Sequence, residues 1–69
     1  MIELTVNGKP REIGEAMTLS GFLQSHNINP RLVAVEYNGE IVRRDGYDAV
    51  RLKAGDKLEI VHMVGGGAA

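Results

Sequence analysis

Cysteine is absent from all 69 residues. A disulfide scaffold, a thiolate metal site and a cysteine nucleophile are therefore excluded. Small secreted domains usually rely on disulfides, so their absence points to a reducing, cytoplasmic setting. Tryptophan is also missing and Phe22 is the single phenylalanine, which makes it a candidate core anchor rather than an aromatic binding residue. No apolar run approaches the roughly 18 residues of a membrane span. The opening "MIELTVNGK" lacks the basic segment and apolar stretch of a signal peptide. Eight Lys+Arg against nine Asp+Glu give a net charge of -1 with no basic block, which argues against a nucleic-acid partner.

Catalytic side chains are equally sparse. The two histidines, His26 and His62, lie far apart in sequence, and no carboxylate–histidine spacing resembles a metal site. His26 sits late in an expected helix, where it is favourable when protonated. His62 ends an expected strand and reads as a structural or partner-contact residue. Ser20 and Ser25 lack a base-and-orienter arrangement, so a hydrolase triad is not indicated. The triplet Gly65-Gly66-Gly67 is not a phosphate loop, because the lysine, the hydroxyl and the following helix are missing. The charge cluster Arg43–Asp45 reads as a solvated loop, with partner docking as the alternative. No bound metal or cofactor is expected.

What is present is globular composition, 43% hydrophobic and 25% charged, in one domain near the lower size limit for a self-supporting core. "IELTV" alternates apolar and polar residues as a half-buried strand does. Asn7-Gly8 follows as a type I′ hairpin turn, and "KPREI" is the return strand, with Pro10 suited to an edge. The period then changes. Leu19, Phe22 and Leu23 make a helical stripe, with Thr18 as N-cap and the Asn27–Pro30 stretch as the stop. "RLVAVEYNGEIV" is a second strand–Asn-Gly–strand unit with Val33, Val35 and Tyr37 on one face. "RRDGYDAVRL" reads as a loop, and Ala54-Gly55-Asp56 turns into a last strand with Leu58 and Ile60 inward. Ile2, Leu4, Val6, Leu19, Phe22, Leu23, Val35, Leu58 and Ile60 are the expected core.

Hairpin, helix, hairpin, loop and final strand have one natural solution. A mixed sheet of four or five strands packs on the helix, which acts as the crossover that makes the first and last strands parallel and central. This is the α+β, β-grasp or ubiquitin-like architecture, expected over residues 1–64. Residues 65–69 are then a flexible tail leaving a central strand. Three glycines lose more entropy on ordering than any other residues, so the tail suits insertion into a narrow site. Val61, Met63 and Val64 beside its exit are candidate docking residues, the alternative being that they simply finish the strand.

"LTVNGKP", "NGEIV", "GDKLEIV" and the glycine tail resemble the ThiS family of sulfur carriers in thiamin biosynthesis, over nearly the whole chain. The resemblance implies that a ThiF-like enzyme uses ATP to adenylate the terminal glycine carboxylate. Sulfur then converts it to a thiocarboxylate, and a ThiG-like thiazole synthase receives that sulfur. The protein would be a co-substrate without an active site of its own. Family members end on glycine, which assigns the reactive carboxylate to Gly67, with Gly66 as the alternative. This chain continues through Ala68 and Ala69. The two alanines are a foreign remnant, or a peptidase removes them, or this copy is inactive as it stands. A carrier for molybdopterin or cysteine synthesis shares the tail, and a ubiquitin-like modifier or interaction module is the alternative from another class.

Overall fold

The computed structural model describes residues 1–63. Val64, the glycines Gly65, Gly66 and Gly67, and the two alanines lie outside the described residues, as does the expected boundary between domain and tail.

Strand β1 (Ile2–Val6) and β2 (Lys9–Ile13) form the first hairpin, paired from Ile2↔Ile13 to Val6↔Lys9. Asn7 and Gly8 both take positive φ, 53° and 81°, as a type I′ turn requires. The second hairpin joins β3 (Val33–Tyr37) and β4 (Glu40–Val42) through Asn38 and Gly39, at 52° and 91°. The last strand, β5 (Lys57–His62), runs parallel to β1 and antiparallel to β3. The sheet order is β2-β1-β5-β3-β4. Pro10 therefore lies on an edge strand, where its missing N–H leaves no ladder bond unmade. β5 is the central strand, as the order of elements implies.

Helix α1 (Leu19–Ser25) starts where its four unpaired N–H groups find partners. Thr18 Oγ1 accepts from the Gly21 amide at 3.1 Å, and its carbonyl accepts from Phe22 at 2.9 Å. The amides of Leu19 and Ser20 donate to the carbonyls of Val50 and Tyr47, at 2.8 and 3.2 Å. The segment expected to be a plain loop thus wraps the helix start. It contains a short 3₁₀ turn, Arg44–Gly46, and it buries Tyr47 and Leu52 in the core. Burial pushes the Tyr47 hydroxyl pKa up, against the opposing pull of the nearby Arg44 charge.

The helix ends earlier than the approach of Pro30 requires. Asn27 turns left-handed at φ 58°. Its amide donates to Gln24 and that of Ile28 to Leu23, at 3.1 and 2.9 Å, the paired bonds of a Schellman motif. Pro30 instead begins a 3₁₀ turn (Pro30–Leu32) capped by the Asn29 side chain.

One core lies between the helix and one sheet face: Leu4, Ile13, Leu19, Phe22, Leu23, Val33, Val35, Tyr47, Leu52, Leu58 and Ile60. Ile2 and Val6, expected in it, are only partly buried and pack against its margin. Asp56 is the one buried charged residue among those described, at 3% exposure. Its carboxylate accepts from Tyr37 Oη at 2.7 Å, the Lys53 amide at 2.8 Å and Asn38 Nδ2 at 3.2 Å, with Lys53 Nζ at 3.4 Å. Burial alone would raise the Asp56 pKa. The hydrogen bonds from Tyr37, the Lys53 backbone and Asn38, with the Lys53 charge, outweigh it and hold the group below the ordinary aspartate value.

A depressed folded pKa contributes stability that is present above the unfolded value and is lost as pH falls through the folded one. The melting temperature should therefore drop in acid below about pH 4, where an unfolded aspartate begins to protonate. Asp56→Asn should be less stable at neutral pH and should lose part of that acid dependence. Identical pH profiles for the two proteins would show that this carboxylate does not hold the turn.

Candidate functional site

Two of the side chains that could carry chemistry, Ser25 and His26, are engaged in structure. Ser25 Oγ donates to the Phe22 carbonyl at 2.8 Å, so its contact with His26 Nδ1 at 3.1 Å is not an activated serine–base pair. The His26 ring lies tilted by 35° against Phe22 with centroids 4.4 Å apart, and the His26 backbone amide caps the helix end. His62 pairs with Val33 at the exit of β5 and is exposed. Among the described residues, no group of three His, Cys, Asp or Glu could hold a metal ion. Likewise no helix there is long and apolar enough to cross a membrane. Arg43, Arg44 and Asp45 are exposed around the 3₁₀ turn.

A different kind of site forms where β5 ends. Alternation turns Leu58 and Ile60 into the core and Glu59 and Val61 outward. Val61 is 59% exposed and Met63 49%, on the sheet face away from the helix. The Met63 amide still bonds Leu32 at 2.8 Å, so pairing with the chain before β3 continues to the last described residue. Two of the three expected docking residues are thus exposed together at the tail exit, while Val64 lies outside the described residues.

Three neighbours were not among the expected docking residues, although alternation along β3 already turns Ala34 outward. Ala34 faces outward opposite Val61. Ile41, opposite Glu36 on β4, is 76% exposed, and Leu32 is exposed beside Met63. Of the three, Ile41 carried a sequence signal of its own, an isoleucine on the polar side of a short edge strand. Glu36 and Glu59 face each other directly on the same surface, an arrangement that disfavours the sheet on its own. A shallow hollow lined by Asn38, Gly39, Gly55 and Lys57 lies at the other end of β5, away from the exit.

Comparison with known proteins fits this geometry. The ThiS family model matches residues 4–67. The chain belongs to the ThiS family. The sulfur carrier protein ThiS of Bacillus subtilis is 38% identical over 93% of this chain and 98% of its own length. The crystal structure of the ThiS thiamine biosynthesis protein from Geobacter metallireducens superposes with a TM-score of 0.83 at 36% identity, covering 96% of this chain and all of the other. The β-grasp fold expected from the order of elements is therefore the fold of a solved family member. A thiazole synthase of Paramagnetospirillum magneticum is 42% identical over 97% of this chain, and the chain spans about a fifth of that protein's length.

Proposed function

We propose that this protein is a sulfur carrier for thiazole formation in thiamin biosynthesis, acting as a co-substrate through the carboxylate of Gly67. The observation that carries the reading is a ThiS-family match that runs to Gly67 and stops short of Ala68 and Ala69, on a chain whose central strand leads into the glycine triplet.

The chemistry asks little of the domain itself. Once a peptidase has removed Ala68 and Ala69, a Gly67 carboxylate oxygen attacks the α-phosphate of ATP in a ThiF-like enzyme, and pyrophosphate leaves. The acyl-adenylate is then attacked at its carbonyl by hydrosulfide, a carbon–sulfur bond forms as AMP departs, and after loss of the proton the terminus is a thiocarboxylate. A ThiG-like thiazole synthase takes the sulfur. That receiver is supported by thiazole synthases that contain a segment like this chain. A glycine tail suits a channel that must admit backbone to the α-phosphate, since a Cβ there adds bulk and stiffness.

A few glycines bury little area, so the domain must also be gripped. Val61 and Met63, with Ala34 and Ile41 on the same face, form the proposed grip, and Val64 is the third residue assigned to it from the sequence. Methionine adapts to more than one partner surface, as a carrier visiting an activator and an acceptor requires. ATP–pyrophosphate exchange by the activating enzyme should depend on added carrier ending at Gly67. Val61→Ser with Met63→Ser should raise the carrier concentration at half-maximal exchange about tenfold or more. No exchange with the otherwise unaltered carrier ending at Gly67 would refute the carrier reading; unchanged half-saturation in the double variant would refute only the docking face.

A further inference from the structure

β1 supports β5 for only two residues, Thr5↔Lys57 and Val6↔Leu58. At Asn7 the chain turns back into β2, while β5 runs on through His62. The Asn7 amide donates to the Leu58 carbonyl at 2.8 Å. The Asn7 side chain then stands in for the next peptide of the missing strand. Oδ1 accepts from the Ile60 amide at 2.7 Å, and Nδ2 donates to the Ile60 carbonyl at 3.2 Å.

Turn geometry does not explain that pair of bonds, because Asp-Gly forms the same type I′ turn yet has no donor for the Ile60 carbonyl. Asn38, the matching residue of the second hairpin, grips the other end of the strand. Its Oδ1 accepts from Lys57 at 2.8 Å and its Nδ2 donates to Asp56 at 3.2 Å. The two turn asparagines hold opposite ends of β5, and Asn7 holds the end that leads to the tail.

We infer that Asn7 is a positioning residue for the tail exit. By closing on the Ile60 peptide from the β1 side, it keeps Ile60–Met63 in strand geometry and sets Val61 and Met63 outward before a partner arrives. Without it that segment is held from β3 alone, and its ordering is deferred to the moment of docking, which weakens association. The functional half of this inference rests on the carrier reading; the structural half does not.

Asn7→Gly and Asn7→Asp keep a turn-competent residue, and Asn38→Gly makes the same deletion at the far end of β5. Native-state hydrogen exchange on the full chain should show the Val61 and Met63 amides, neither of them a partner of Asn7, losing roughly tenfold protection in both Asn7 variants. In Asn38→Gly they should change no more than the rest of the sheet. In ATP–pyrophosphate exchange with the chain ending at Gly67, Asn7→Gly should raise KM roughly tenfold with kcat within about twofold, and Asn38→Gly should leave both within about twofold. Protection lost uniformly, or equally in the Asn38 variant, would make Asn7 an ordinary stabilising residue and overturn the inference. So would Asn7→Asp behaving as wild type. If the chain ending at Gly67 with Asn7 intact supports no exchange, the carrier reading fails, and the hydrogen-exchange comparison still decides the role of Asn7.

Discussion

Phe22→Ala should lower stability by about 3–5 kcal/mol, the usual cost of truncating a buried phenylalanine. Phe22 is 2% exposed and belongs to the cluster that joins α1 to β1, β3 and β5. Little else can fill the space. The helix has only seven residues, shorter than a helix that persists alone in water, so its stability comes from this packing. The His26 ring tilted against Phe22 at the helix end loses its support as well. At about 0.05–0.15 kcal/mol per residue, a chain of 69 residues has total stability of the same order as this single loss. Urea denaturation should therefore show the variant largely unfolded, or with a midpoint far below wild type. An unchanged midpoint would contradict the core described above.

The position of the chain end should matter even more to function. A version ending at Gly67 should support ATP–pyrophosphate exchange, because acyl-adenylate formation is reversible. The full chain should support it poorly. Ala68 and Ala69 carry the carboxylate up to roughly 7 Å farther and place Cβ atoms where the tail must be thinnest. Since a misplacement of 1 Å can cost about a hundredfold, the difference should reach at least that size. A version ending at Gly66 should fall short by one residue and recover little. Equal exchange by all three would mean that the position of the chain end is not read.

Much of the fold is legible in the chain because local and global signals agree. Both hairpins announce themselves by Asn-Gly between alternating strands, and Thr18 caps the helix as its side chain allows. What escapes is tertiary in origin. Tyr47 and Leu52 sit in a stretch without periodicity and are buried because the carbonyls of that stretch satisfy the helix start. Asp56 looks like an ordinary turn aspartate, and its burial depends on Tyr37 and Asn38, far away in sequence. Asn7 is recognisable as a turn residue, but its second task depends on β1 ending two residues before Ile60 needs a partner. The candidate site was legible at Val61 and Met63, where alternation continues. Alternation also turns Ala34 outward, but its place beside Val61, like the place of Ile41 in the patch, follows only from strand pairing.

The most direct measurement is the intact mass of the protein isolated from its native cell. The account predicts a chain ending at Gly67, part of it heavier by the difference between one sulfur and one oxygen, with the added sulfur lost on mild hydrolysis. A population that keeps Ala68 and Ala69 with no sulfur-bearing form would contradict it, as would a population joined through its terminus to lysines of other proteins.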